Sequence, residues 1–219
     1  MNKIDLFKYI RERSTIIVLN PEFSSRIKLA YRNTRKCQFH SKLIEFFKGR
    51  YNLNLRLLIK LCNYLKISRQ ELFDNIKEVY LKPRKASLKV RYIVVDREFA
   101  QWYGLWIGEG DHSGTRKCIS VCNYEVNLLK IQISMLNKLG FENRIKAEIF
   151  TNVDENPLIV KKRWSKILNL EVDDMSTVSF MSNATQEGAR VEAWCAILFR
   201  ILHDANKDIK LLIEKSKSE

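Results

Sequence analysis

Several things this chain lacks narrow its reading. No apolar run approaches the roughly 18–20 residues needed to span a bilayer, which excludes a membrane-spanning helix. The opening "MNKIDLFKYIRERS" alternates charged and apolar residues as an amphipathic helix does, and is expected to be such a helix rather than a signal peptide. Cysteine is scarce and scattered, five residues at 37, 62, 118, 122 and 195 with no C-x-x-C pair. An odd, dispersed set does not build a disulfide framework, so a cytoplasmic chain is expected. Cys118 and Cys122 would share one face of a strand, near His112. No second Cys/His pair stands at ligand spacing, so zinc is not expected, and no Cys–His nucleophile pattern is visible. There is no internal repeat and no low-complexity tract. Glycine is rare too, with seven in 219 residues, yet three sit together at 104, 108 and 110 in "QWYGLWIGEGDHSG".

Acidic residues are what the first half lacks. Residues 1–95 carry 22 Lys/Arg against 7 Asp/Glu, whereas residues 96–219 carry 17 against 18. The net +14 therefore resides in the N-terminal half. A polycation spread over several segments suits a phosphate backbone, where it releases counterions. A membrane surface would favour one concentrated basic helix instead. Double-stranded DNA is the expected partner, with no membrane and no small-molecule substrate, and the expected place is the nucleoid.

Three regions follow. Residues 1–80 read as short consecutive helices, an all-α bundle: "PEFSSRIKLAYRNT" starts with Pro21, and "FHSKLIEFFKG" stops at Gly49. "LNLRLLIKLCNYLKI" sets Leu55, Leu58, Ile59, Leu61, Cys62 and Leu65 on one face. Ser68 with Glu71 three residues later forms a capping box for "SRQELFDNIKEVY". Residues 81–95 hold Lys82, Arg84, Lys85, Lys89 and Arg91 with no acid, and read as a linker. Lys82, Arg84 and Lys85 would lie along a DNA groove if this linker is a basic arm rather than a solvated tether. Residues 96–219 mix helix and strand: a helix over 97–109, strand "KCISVCN", helix "EVNLLKIQISMLNKLG" stopped by Gly140, strand "NRIKAEIFTN", helix "PLIVKKRWSKILN". "STVSFMSN" and "GARVEAWC" read as strands paired around a turn, and "ILFRILHDANKDIKLLIEK" as one closing helix.

In the helix of residues 97–109, Ala100, Gly104 and Gly108 recur every fourth residue and make a narrow stripe of small side chains. Such a stripe lets a second helix approach backbone to backbone. Glu109 follows it at a helix C-terminus, where the macrodipole disfavours an acid by a few tenths of a kcal/mol, up to about 1. Packing two copies about a two-fold axis would bring both Glu109 carboxylates together. A hard divalent cation such as Mg²⁺ relieves that repulsion and can drive in-line attack on a phosphodiester. The bland alternative is an ordinary helix stop with an incidental exposed acid, and Asp111 beside it reads as a turn cap.

"WYGLWIGEG", residues 102–110, resembles the LAGLIDADG motif of homing endonucleases. Position by position, Gly104 and Gly108 match the small helix-packing sites, Glu109 the acidic metal ligand, and Gly110 the closing glycine. Strand "CISVCN", the helix ending "LNKLGF" and the helix "KKRWSKILNL" extend the resemblance over most of residues 95–215. The resemblance implies an α+β fold: a LAGLIDADG-type mixed domain with an antiparallel sheet. It implies metal binding at Glu109 and Gly108, with strand-borne Lys117, Lys146 and Gln186 as candidates for the pocket around the scissile phosphate. Only one motif copy is present, which in this family implies a homodimer. Neither Met1-Asn2 nor Ser218-Glu219 is a splice-junction pair, so the chain resembles a free-standing member. Transcription regulators derived from this fold do not cut DNA, and RNA-binding maturases share it, so cleavage and the choice of nucleic acid stay open.

The segment "FHSKLIEFFKGRYNLNLRLLIKLCNYLKISRQELFDNI" resembles repressor-type helix-turn-helix domains. That resemblance implies a helix within about 38–48 in the major groove. Gln38, His40, Ser41 and Lys42 would face base edges, with Arg35, Lys36, Lys48 and Arg50 on phosphates.

Overall fold

A computed structural model of the chain describes residues 2–34, 41–81, 86–112, 118–182 and 185–216. The chain separates into two compact units, one formed by Asp5–Arg91 and the other by Met1–Ile4 with Tyr92–Glu219.

The N-terminus does not form the amphipathic helix its alternation suggests. Lys3–Asp5 is a strand, β1, followed by a single 3₁₀ turn over Leu6–Tyr9. Asp5 decides this, because its carboxylate accepts the Phe7 N–H at 2.9 Å and ends the strand in a turn. The Asp5–Arg91 unit continues with β2 (Thr15–Leu19), α1 (Pro21–Arg32), α2 (Ser41–Phe47), α3 (Leu55–Tyr64), α4 (Arg69–Asp74), β3 (Ile76–Leu81) and β4 (Ser87–Leu88). It is therefore not an all-α bundle. β2, β3 and β4 form an antiparallel sheet in that order. The β-branched run "TIIVL" packs on a pleated surface better than on a helix. "IKEVYL", expected to extend the preceding helix, is its partner strand.

The Ser68 cap and the Gly49 stop are present as read, and Asn54 adds a cap not foreseen in the sequence. Asn54 accepts the Leu57 N–H at 2.9 Å, and Ser68 accepts the Glu71 N–H at 3.1 Å. Gly49 takes φ +74 after α2. α3 buries Leu55, Leu58, Leu61 and Cys62 against the core. Arg91 closes the unit: its guanidinium pairs with Asp5 at 2.9 Å and with Asp74 at 2.6 Å, 5.9 Å from the Phe7 and Phe73 ring centres. The 81–95 segment is not a tether throughout, since Ala86, Ser87 and Leu88 are buried and Ser87 donates to the buried Glu78 carboxylate at 2.7 Å.

In the second unit, β5 (Tyr92–Val94) pairs with β1. Then come α5 (Arg97–Glu109), β6 (Cys118–Asn123), α6 (Val126–Lys138), β7 (Ile145–Thr151), α7 (Pro157–Leu168), β8 (Met175–Phe180), β9 (Gly188–Trp194), α8 (Ala196–Asp204) and α9 (Asn206–Ser216). The architecture is α+β. The four-stranded sheet runs β6-β9-β7-β8. Two pairings are antiparallel, but β7 and β8 are parallel.

The expected β8–β9 pairing is absent, because β9 inserts between β6 and β7. Composition explains the order. Ala189, Val191 and Ala193 are fully buried and suit a central strand, whereas the polar "MSTVSF" of β8 suits an edge. The closing helix is likewise two helices, broken at Ala205.

Alternation along β7 is strict. Ile145, Ala147, Ile149 and Thr151 are buried while Lys146, Glu148 and Phe150 face the other side. One glutamine fastens helix to helix and helix to sheet beneath. The fully buried Gln132 of α6 accepts the Trp102 indole N–H at 2.6 Å and donates to the Ile119 and Val191 carbonyls at 3.1 and 3.4 Å.

Candidate nucleic-acid interface and metal position

α5 begins at Asp96, whose carboxylate caps the Phe99 N–H at 2.8 Å. Its inner face is aromatic. Phe99 stacks on Tyr103 at 5.7 Å and Trp102 on Trp106 at 6.3 Å, all four buried. Tyr103 donates its hydroxyl to Asn206 of α9 at 2.9 Å, and burial pushes the phenol up to about 12. The outer face presents Arg97, Gln101, Gly104 and Gly108, with Ala100 half-buried.

The motif glycines serve two different purposes. Among the described residues a methyl group at Gly104 or Gly108 would meet no atom within 4 Å, so none of them requires either to lack a side chain. At Gly110 a methyl would lie 2.2 Å from the Trp106 carbonyl oxygen and 2.8 Å from its indole Cδ1. Gly110 thus lets the chain close over Trp106 as it leaves the helix, at φ −80, an ordinary value.

Beyond Gly110 the chain meets the sheet through a bridge between Gly110 and Val121. This sets the exposed Glu109 close enough to Cys122 to act on its thiol, which burial raises first and nearby charges adjust. Cys122 pairs in register with Arg190, which donates to Glu148 at 2.7 Å and lies 5.4 Å over the Phe150 ring. Trp194, 41% exposed, donates its indole N–H to Glu192 at 2.7 Å on the same face.

The candidate pocket residues divide. Lys146 projects from this face, but its ammonium is held by the Asp174 carboxylate at 2.7 Å and the Asp173 carbonyl at 3.2 Å. Gln186 is exposed in the turn before β9, and Lys117 lies outside the described residues. Arg190, Glu148 and Lys146 share the sheet's outer side; among the described residues no hydrogen bond or ion pair brings Gln186 to them. Among the described residues no three His, Cys, Asp or Glu side chains cluster as a metal site. Cys118 is buried, and desolvation with Glu192 beside it pushes its thiol up to about 11. Reading missed Arg190, Glu148 and Glu192, although the period-2 pattern of "IKAEIFT" and "GARVEAW" already placed them on one face.

His112 and His203 form a second cluster. Trp106 contacts His112 edge-on at 4.8 Å and His203 at 5.5 Å, and Phe199 packs on His203 at 4.5 Å. His112 also approaches the Ile107 carbonyl at 3.2 Å. This clasp holds the segment after Glu109 against α8.

In the basic unit, α2 buries Leu43 and Phe46 and stacks Phe47 on Tyr31 of α1 at 4.6 Å. Ser41 starts the helix and Lys42 is exposed. Lys48 and Arg50 are exposed and share one carboxylate, Glu45, at 3.3 and 3.8 Å. Arg35, Lys36, Gln38 and His40, and Lys82, Arg84 and Lys85, lie outside the described residues. No described helix is long and apolar enough to cross a membrane. Compared with known proteins, the chain matches no family model, no curated protein and no solved structure.

Proposed function

We propose that this chain is a sequence-specific double-stranded DNA-binding protein that pairs with a second copy through α5 and cleaves phosphodiesters with a divalent metal at Glu109, in the manner of LAGLIDADG endonucleases. The observation that carries the reading is the outer face of α5. Two interior glycines cost a helix about 1 kcal/mol each relative to alanine, and among the described residues no contact repays them. A second helix lying on Gly104 and Gly108 would. The exposed Glu109 then stands at the end of that seam, beside its symmetry mate.

In the proposed pair, two Glu109 carboxylates would face one another and together hold the metal. Magnesium bound there would polarise the phosphodiester and furnish hydroxide. Glu109, as oxygen donor, would hold the ion. Arg190, Glu148 and Lys146 line the sheet face where the sugar–phosphate backbone would run. The basic Asp5–Arg91 unit adds affinity through phosphate contacts.

A second reading has its own support. Arg190 is paired with Glu148 and Lys146 with Asp174, so these two cations of the sheet face are already neutralised. That favours a regulator that dimerises and binds DNA without cutting it. Incubating a random-site duplex library with wild type and with Glu109→Ala in Mg²⁺ separates the two. New DNA ends from the wild type alone support the nuclease; equal binding and no ends from either leave the regulator.

A further inference from the structure

We infer that the outward face of α3, joined by Arg13 from the loop before β2, grips the sugar–phosphate backbone of duplex DNA. This rests on the DNA-binding reading above and adds a contact face outside the 35–50 segment that the helix-turn-helix resemblance implicates.

The acids of the basic unit are engaged away from this face. Asp5 and Asp74 hold Arg91, Glu45 holds Lys48, Glu71 holds Arg26, and Glu78 is buried with Ser87. Glu22 lies in the first turn of α1. Glu12 approaches α3 most closely through its backbone, and Arg69 neutralises its carboxylate at 2.9 Å. Of the four α-helices described in this unit, α3 alone contains no acid.

The orientation of α3 is set by its apolar stripe, which turns Leu55, Leu58, Leu61 and Cys62 into the core. At 100° per residue the opposite arc runs through Asn63, Arg56, Lys60 and Tyr64, and all four are exposed. The Arg56 N–H donates to the Glu12 carbonyl at 3.0 Å, which sets the exposed Arg13 beside the start of the helix. Among the described residues, Arg13, Arg56 and Lys60 form no ion pair.

The chemistry of the arc selects the occupant. Each of its side chains carries a hydrogen-bond donor and none is a carboxylate. Arginine, lysine, asparagine and tyrosine all serve as donors to phosphate oxygens. Arg56 and Lys60 stand four residues apart, a rise of about 6 Å that spans roughly two nucleotide steps of one strand. A helix lying on a membrane needs its apolar stripe at the surface, whereas the stripe of α3 is in the core. A protein partner needs an apolar anchor to bury, and none lies on the arc from Asn63 to Lys60.

The test titrates the full chain with a random-sequence duplex at four salt concentrations, so no selected site is required. Arg56→Gln combined with Lys60→Gln should lower the slope of log affinity against log salt by about 1.8, from two phosphate contacts. Adding Arg13→Gln should lower it by about 0.9 more. Lys77→Gln with Lys89→Gln removes the same charge from other exposed positions and should leave the slope unchanged. The charge-keeping exchange Arg56→Lys with Lys60→Arg should retain the wild-type slope, as a backbone contact does. All variants should melt beside the wild type, because each altered side chain is exposed. Equal losses from the two paired glutamine variants would show a diffuse field and overturn the inference. So would a wild-type slope in Arg56→Gln with Lys60→Gln. Loss of binding to phosphatidylserine vesicles with duplex binding intact would assign the face to a membrane and overturn it equally. If the wild type binds no duplex at any salt concentration, the DNA-binding reading itself fails and takes this one with it.

Discussion

Replacing Gly104 and Gly108 together by alanine separates a seam between two chains from a helix that merely tolerates glycine. Both sites lie inside α5, and a Cβ at either meets none of the described residues within 4 Å. In an isolated chain the double variant should therefore be more stable, by about 0.8–1.0 kcal/mol per site from helix propensity alone. For a unit of this size, some 2 kcal/mol raises the midpoint of thermal unfolding by roughly 4–8 °C. In a paired protein the two methyl groups would instead hold the helices apart, and the stripe that permits close approach is lost. The dimer should then weaken by at least tenfold while the monomer melts higher. Sedimentation equilibrium across a hundredfold concentration range, beside calorimetric melting of the same samples, reads both numbers. A wild type that is monomeric throughout, or a variant that gains stability with unchanged association, would refute the seam. Gly110→Ala is the contrasting case. Its methyl would collide with the Trp106 carbonyl, so it should destabilise the monomer whatever the association state.

Other outcomes follow from single interactions. Gln132→Leu strands the Trp102 indole N–H in the core and should cost about 2–4 kcal/mol in urea denaturation. Pairing it with Trp102→Phe, which removes the stranded donor, should recover part of that loss in a double-mutant cycle. Burial, with His112 adding a repulsive contribution, lowers the pKa of His203 in the folded chain. The unfolded chain therefore takes up that proton first, so stability is complete above about pH 6.5 and falls as pH drops through the ordinary histidine range. His203→Phe should flatten the dependence of the urea midpoint between pH 7.5 and 5.5, and an unchanged slope would show that other groups set it. Arg91→Met breaks the pairs with Asp5 and Asp74 at once and should lower stability of the basic unit by about 1.5–3 kcal/mol, measured by chemical denaturation.

What could be read before the structure was local. Caps at Ser68, stops at Gly49 and Gly140, and the buried stripe of α3 each depend on a few neighbouring residues, and each is found. What could not be read was long-range pairing. β9 lies between β6 and β7 because its small residues fit the centre of the sheet, a choice set by packing rather than by nearness in sequence. The same holds for "TIIVL", which becomes a strand only with "IKEVYL", some sixty residues distant, as its partner. At the candidate site, Glu109 stood out because an acid at a helix end is locally anomalous. Arg190 and Glu148 did not, since a charged residue on a strand looks ordinary until its neighbour across the sheet is known.

The charge split argues for a division of labour between the units, and salt dependence measures it. In the proposed DNA complex, each cation that neutralises a phosphate adds about 0.9 to the slope of log affinity against log salt. Lys146 and Arg190 already have carboxylates at 2.7 Å. To meet a phosphate they would have to leave those partners, and the carboxylate left behind would repel the same phosphate. Lys42 carries no such constraint: it is exposed on α2 and is absent from the ion pairs of that helix, which involve Lys48 and Arg50. Lys42→Gln should therefore lower the slope by about one, whereas Lys146→Gln and Arg190→Gln should leave it unchanged. The measurement is a titration of one duplex at four salt concentrations. Equal losses from all three substitutions would mean that the sheet opens its ion pairs to hold DNA, which would favour the nuclease reading. A loss confined to Lys42 would instead leave α5 and its sheet to set geometry, while the basic unit supplies the grip.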